Sequence, residues 1–397
     1  MTSTKKIGLV TAIIVGMNAM IGAGIFSVPA ALGSSVGPAG ILTYLFVILA
    51  VWFMGSSMAE LAQRYPEEGS FYTYTKVWAG HIGGLIAATS YLIGLVIAMG
   101  LLVRIAGYNL HHSFNAVSSH TWSWITLSGL TVLNILGVKL SEIGQQVLII
   151  STVFPIIATT ILCFMHGSMN NFKPFMPYGT TNILSATKAV IFGFFGFESA
   201  ASLFNIVEDP QKNVPRALRW ALILVGILYL SFVASIIAAV PLEKFTDPSV
   251  QLSDLLSAQF PGYPWLITFI HYAILSAILG TVHSMIWGSS MLLVDLFRSM
   301  KNRVIQQALN NNYINQKVAV LIIASGIAFT YSTLRSIDLF FGLTAIFIIF
   351  SFMASMVTLL IERSNKSIGS LVANILGLAT ASIMLFFAIQ GVLHELY

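Results

Sequence analysis

The sequence predicts an all-α polytopic membrane protein, and three observations carry that expectation. Only 8% of the 397 residues are charged and 57% are hydrophobic, whereas a soluble domain carries about 25% charged residues. About eleven apolar runs each approach the roughly 20 residues that cross a hydrocarbon core. The basic residues crowd into alternate loops between those runs. The net charge of +5 is therefore a matter of topology. The lipid bilayer is the expected partner, and nucleic acid is not.

The runs fall at about 7–34, 38–62, 82–110, 121–138, 143–166, 182–206, 217–240, 264–294, 317–334, 338–361 and 368–391. The third and eighth are long enough to tilt or to extend past the bilayer. No soluble domain separates them, so residues 1–397 form one integral unit. Lys5 and Lys6 before an apolar stretch, with Ala30 and Ala31 after it, resemble a signal peptide. The stretch is too long for a signal h-region, however, and glycines interrupt it. Cys163 is the single cysteine, which excludes an intrachain disulfide. No spacing of histidines suggests a metal, and no cofactor is expected.

Charge asymmetry orients the chain. Lys5, Lys6, Arg64, Lys76, Lys139, Lys212, Arg216, Arg219, Arg298, Lys301, Arg303, Lys317, Arg363 and Lys366 share one side. Lys173, Lys188, Lys244 and Arg335 lie on the other. The positive-inside rule then places the N-terminus in the cytoplasm. An odd span count places Tyr397 outside a bacterial inner membrane.

Two runs are broken by glycine. The first reads Met20-Ile21-Gly22-Ala23-Gly24-Ile25-Phe26, and the sixth reads Phe192-Gly193-Phe194-Phe195-Gly196-Phe197-Glu198-Ser199. Each opens a block of five runs, about 7–166 and about 182–361, with an extra helix at about 368–391. Five is odd, so the second block enters the membrane from the opposite side. Interrupted helices at matching places in two inverted halves point to a transporter's binding site. Glycine weakens a helix, and open backbone at membrane depth survives only where it lines a cavity or is buried in protein. Half-helix N-termini suit a carboxylate and C-terminal ends suit an ammonium. A zwitterionic amino acid matches both. The competing reading is that these glycines only allow close helix packing. Gly22-Ala23-Gly24 is no dinucleotide fingerprint, because no strand precedes it and the third glycine is missing.

Gly22-Ala23-Gly24-Ile25-Phe26 with Pro29 resembles the first-helix signature of the amino acid–polyamine–organocation superfamily. Four further stretches fit the same family: Glu60-Leu61 with Arg64-Tyr65-Pro66 and Gly69-Ser70, Gly196-Phe197-Glu198-Ser199, Asn213-Val214-Pro215-Arg216, and Trp287-Gly288-Ser289-Ser290. The resemblance is closest to bacterial amino-acid antiporters and exporters. It implies a leucine-transporter-type fold of five-plus-five inverted repeats, discontinuous helices 1 and 6, and alternating access.

The implied substrate site takes Ile21, Gly22, Ala23, Gly24 and Ile25 from span 1, and Tyr91 and Leu95 from span 3. It takes Phe192, Phe194, Phe195 and Gly196 from span 6, and Met285 from span 8. The gating and coupling residues are Phe192, Glu198 and Glu60. The aromatic gate is a tryptophan in the arginine–agmatine exchanger and is Phe192 here. That exchanger's span 3 asparagine falls on Leu95 or Val96, and its span 8 tryptophan near Met285. A neutral or apolar amino acid is thus implied, with a cationic amino acid or polyamine as the alternative. Many relatives carry twelve spans. About eleven here, without the last of them, puts in doubt a dimer built on the final two helices, and leaves a monomer as one reading of the oligomeric state.

Coupling is read from three places. Some proton-coupled relatives place a lysine in span 5, and none lies between Val147 and Met165 here. Ser289 and Ser290 offer hydroxyls to a sodium ion, but the Gly-Ser-Ser triplet also occurs in sodium-independent members. Glu198 remains as the acid at membrane depth, a functional candidate by default. Sodium-independent exchange or proton-linked transport is the expectation.

Elsewhere, Arg104 near the outer end of span 3 is expected to snorkel or to form a structural ion pair. His283 is read as a satisfied interior histidine. Phe71, Tyr72 and Tyr74 are read as interfacial anchors. Among other classes of function, a channel would show filter loops or charged rings. An enzyme would show clustered catalytic groups. The sequence has neither.

Overall fold

The structure is a computed structural model. It describes residues 6–22, 24–65, 70–137, 142–198, 207–245, 252–300, 302–362 and 368–396. Ala23, the Glu67-Glu68 pair, Ser199 and Tyr397 lie outside them. In chain order the helices are α1 (Leu9–Met20), α2 (Gly24–Ser35), α3 (Gly40–Arg64), α4 (Ser70–Ser113) and α5 (Ser119–Ile135). Next come α6 (Glu142–Met165), α7 (Thr180–Ser185), α8 (Thr187–Phe192), α9 (Pro210–Ala239) and α10 (Leu252–Gln259). The last five are α11 (Pro264–Ser299), α12 (Arg303–Asn310), α13 (Gln316–Thr333), α14 (Ile337–Ile361) and α15 (Ile368–Leu396).

Among the described residues, eight helices are long and apolar enough to cross a membrane: α3, α4, α6, α9, α11, α13, α14 and α15. The pair α1 and α2 passes the same test as one span bent by 45°. The fourth predicted run is α5, a helix of 17 residues. The sixth is α7, α8 and a run of turns to Glu198, beyond which residues 199–206 lie outside the description. The chain is thus a multi-pass helical membrane protein, and every predicted run contains helix.

Local chemistry marks the helix starts. Ser118 accepts from the Thr121 N–H at α5, and Asn315 accepts from the Val318 N–H at α13. Pro210 and Pro264 open α9 and α11, where a missing N–H costs nothing. Span 3 differs in detail from its predicted limits. Helix α4 begins at Ser70 and is broken at Gly80, whose φ of 69° needs glycine. The piece before Gly80 lies against α14, where Trp78 donates to the Ala354 carbonyl at 2.8 Å and Thr358 donates to the Tyr74 carbonyl. Phe71 and Tyr74 are consequently buried at 1% and 2% exposure. They belong to the core, not to the interface where the sequence placed them. A 44-residue helix without a break would have carried them into the headgroups.

Helices α4 and α14 run antiparallel along their length, tied by hydroxyls. Ser90 donates to the Phe347 carbonyl at 2.8 Å, Ser351 to Ala87 at 2.8 Å and Thr358 to Tyr74 at 2.7 Å. Lipid supplies no hydrophobic drive for helix association, so such bonds and small-residue contacts hold a bundle together. Gly94 of α4 abuts Ile348 of α14, and Gly100 abuts Thr330 and Phe340. One large apolar core runs through the molecule and includes residues of the broken first and sixth spans. Just before α1, Ile7 pairs with Val207 in a short parallel bridge, and the Glu208 N–H donates to the Ile7 carbonyl at 2.9 Å. Ala12, Val207, Val214 and Ala217 pack as a small second core beneath that bridge.

Arg104 sits at the far end of α4. Its guanidinium donates to the carbonyls of Arg335 at 2.7 Å, Tyr331 at 3.1 Å and Leu334. The ring of Phe340 lies 4.9 Å from it and that of Tyr331 5.6 Å. It closes the C-terminal end of α13, where unpaired carbonyls and the helix dipole both favour a cation. The role is structural, but it is a cap and not the expected ion pair.

Candidate functional site

The break in span 1 follows from how its backbone is held. At Ile21 the helix stops with φ −78° and ψ 77°. Its last carbonyls then find partners on other spans. Tyr229 of α9 donates its hydroxyl to the Met20 carbonyl at 3.0 Å, and Thr281 of α11 donates to the Asn18 carbonyl at 3.2 Å. The Asn18 amide reaches the Gln145 side chain at 2.7 Å and its carbonyl at 2.8 Å. Three other spans thus satisfy the polar groups that the broken helix would otherwise leave bare in an apolar interior.

The break in span 6 lies directly against it. Helix α8 ends at Phe192, and turns follow to Gly196, whose φ is 107°. A Cβ on Gly196 would run into the Ala19 carbonyl of α1. A Cβ on Gly24 would lie 3.0 Å from the Gly193 Cα and 3.2 Å from the Phe192 ring. These two glycines therefore let the interrupted helices touch backbone to backbone. Gly22 differs, since its Cβ would meet only Thr281 at an ordinary 3.5 Å.

Glu198 is 3% exposed. One carboxylate oxygen accepts from the Gly196 N–H at 3.1 Å, and the other accepts from the Tyr91 hydroxyl of α4. Three further aromatic rings, Phe71, Phe197 and Phe352, continue from Tyr91. Phe71 stacks on Tyr91 with centroids 4.2 Å apart, and Phe197 stacks on Phe352 at 4.9 Å. Phe71 also meets Phe352 edge-on at 5.2 Å. The acid is thus bonded to open backbone on one side and to span 3 on the other, within an apolar wall.

The other predicted residues distribute as follows. Phe192 is 7% exposed and meets Phe341 of α14 edge-on at 5.0 Å. Phe194 meets Tyr229 at 5.2 Å. Ile21, Ile25, Leu95 and Phe195 are buried in the same core, and Met285 packs against it. Ala23 lies outside the described residues. Gly24 and Gly196 therefore bring spans 1 and 6 together, Tyr91 joins them through Glu198, and Leu95 and Met285 share only the large common core. Ser289 and Thr344 are buried with hydroxyls that have no hydrogen-bond partner among the described residues. Such groups are where a polar ligand would find partners.

Glu60 is placed elsewhere. It pairs with Arg64 and accepts from Ser370 of α15, while Arg64 lies 3.8 Å from Glu362. This cluster ties span 2 to the last two spans and, among the described residues, does not reach the breaks. His283 is bonded to Asn134 at 3.0 Å, as an interior histidine should be. Among the described residues no group of histidine, cysteine and acids could hold a metal.

Sequence reasoning passed over Tyr229, Thr281, Phe341 and Phe352, and placed Phe71 at the interface. None carries a local signal, since each lies in an ordinary apolar helix and gains its place only by packing.

Comparison with known proteins fits this geometry. The chain is 24% identical over 314 residues to the branched-chain amino acid permease of Bacillus subtilis (strain 168), covering 74% of this chain and 67% of the relative. It is 25% identical over 256 residues to the methylthioribose transporter of the same organism, covering 59% and 56%. It is 25% identical over 298 residues to the mitochondrial cationic amino acid transporter 3 of Arabidopsis thaliana, covering 68% and 48%. The chain thus spans about half to two thirds of these relatives, all of them transporters and not enzymes. The amino acid permease profile matches residues 7–394, nearly the whole chain, and the protein therefore belongs to the amino acid permease family, within the amino acid–polyamine–organocation superfamily.

Proposed function

We propose that this protein carries a neutral or apolar amino acid across the bacterial inner membrane by alternating access between two inverted five-helix repeats. The carrying observation is the contact of the two breaks: Gly24 of the first span against Gly193 of the sixth, with Gly196 against Ala19. Helix ends meeting at one point present both N–H and C=O groups to a zwitterion. The side chains assigned to the site, Leu95, Phe192, Phe194, Phe195 and Met285, are apolar, and the acid beside the breaks, Glu198, is already engaged by Tyr91 and the Gly196 N–H. That supports an uncharged substrate side chain over a cationic one.

Transport proceeds as sodium-independent exchange or proton-linked movement, with Glu198 as the titrating group. The permease lies with its N-terminus in the cytoplasm. The test is radiolabelled amino-acid flux in proteoliposomes, with branched-chain, cationic and polyamine substrates compared, with and without sodium. Saturable flux of a neutral amino acid, accelerated by internal substrate and indifferent to sodium, supports the reading. Non-saturating flux indicates a pore. A sodium requirement moves the coupling site to Ser289 and Ser290.

A further inference from the structure

A second cleft, of ≈ 740 Å³, opens between α3, α9 and α15, away from the two breaks. It lies at the end of the bundle that the basic residues assign to the cytoplasm. Trp52, Glu60, Arg64, Arg219 and Ser370 line it. Glu60 is already engaged by Arg64 and Ser370, so its charge is answered. Arg219 is not answered. It is exposed and has no ion pair among the described residues.

Arg219 also ends a stripe. Lys212, Arg216 and Arg219 stand at i, i+4 and i+7 on α9, which places them on one helical face. All three are exposed, and none is paired with an acid among the described residues. Beyond them the surface of α9 becomes apolar. Trp220 is 51% exposed, Leu224 41% and Ile227 61%. On α15, whose Gly369, Ser370 and Ala373 line the cleft, Val372 and Ile375 on other faces of the same turns are 48% and 49% exposed. The order along the axis is cationic, then tryptophan, then aliphatic. A soluble phosphate would use only the first of these layers, and a phospholipid matches all three.

We propose that this cleft is a binding site for an anionic phospholipid, with Arg219 and Arg216 on the headgroup and the acyl chains against the outer faces of α9 and α15. Basic pockets between membrane helices on the cytoplasmic side are suited to such headgroups. The opposing acids Glu208 and Asp209, just before α9, form no ion pair with the stripe among the described residues. They therefore leave its charge available.

The experiment is native mass spectrometry of the purified full chain with phosphatidylglycerol or phosphatidylcholine, alongside thermal unfolding with each lipid and with glycerol phosphate. Retention of phosphatidylglycerol should exceed that of phosphatidylcholine. The double variant Arg216→Gln/Arg219→Gln should lose roughly fivefold in that preference per charge removed. Gly369→Leu fills the cleft without changing charge, because nothing lies within 4 Å of its Cβ position. It should weaken retention as well. Arg303→Gln, at a distant basic position on the same side, should not. Equal retention of the two lipids, or an unchanged preference in both cleft variants, would overturn the proposal. So would an equal loss in Arg303→Gln, or stabilisation by glycerol phosphate that matches the lipid.

Discussion

The ammonium of Lys188 lies 3.2 Å from the carboxylate of Asp338, and the rings of Phe192 and Phe341 meet at 5.0 Å one helical turn nearer the span 6 break. Lys188 and Phe192 are i and i+4 on α8, and Asp338 and Phe341 are i and i+3 on α14. Two rungs, one ionic and one aromatic, therefore join the same pair of helices on the side of the bundle opposite the Glu60 cluster.

If these rungs hold that side closed, removing the ionic one should open it. Lys188→Met should raise the labelling rate of a cysteine placed at Leu95 by an impermeant thiol reagent. Asp338 is about half exposed, so solvent screens the pair and the shift should be at most about fivefold. The charge swap Lys188→Asp/Asp338→Lys should restore the slow rate. Unchanged labelling in Lys188→Met would remove the pair from the gate.

The glycines at the breaks should separate into two groups. Gly196→Ala forces a side chain into a positive φ and onto the Ala19 carbonyl, which should cost about 1–3 kcal/mol of stability and abolish flux. Gly22→Ala should be close to neutral, since its Cβ has ordinary room beside Thr281. Thermal unfolding in detergent reads both. Equal melting temperatures would mean that backbone contact between the broken helices does not matter.

Phe192 should close over the bound substrate. Phe192→Ala should weaken binding by roughly 1–3 kcal/mol, the scale of one buried aromatic contact. Because Phe192 also packs on Phe341, stability must be measured beside affinity. Phe192→Leu keeps most of the packing and should retain the fold while still losing affinity. Wild-type affinity in both variants would exclude Phe192 from the site.

Glu198 and Tyr91 should report on coupling differently. Glu198→Gln should flatten the dependence of flux on pH, because it removes the titrating group and keeps the shape. Tyr91→Phe keeps the stack on Phe71 and removes only the hydroxyl donated to Glu198. It should move the midpoint of the pH profile without abolishing it. Flux against pH in proteoliposomes checks both, and a wild-type profile in Glu198→Gln would exclude that acid as the sensor.

Topology is tested by fusion. A reporter after Tyr397 should be found outside and one before Met1 inside. A cytoplasmic C-terminus would contradict the charge reading and the odd number of spans.

The sequence by itself determined the class, the order of the runs and the place of the breaks. Apolar length, charge asymmetry and glycine are local properties, and the solvent reads each of them without help from the rest of the chain. Glu198 was legible for the same reason, since an acid among phenylalanines announces its cost. Tertiary structure decided which partners meet that cost. Tyr91 and Gly196 reach Glu198, Tyr229 and Thr281 reach the end of α1, and Phe71 folds inward only because Gly80 breaks α4. It also gave Glu60 its partners Arg64 and Ser370 and made Arg104 a helix cap. Nearly every span is apolar on all sides, so periodicity carries no register from one helix to the next. In such a chain only packing and the need to satisfy each buried polar group select the neighbours.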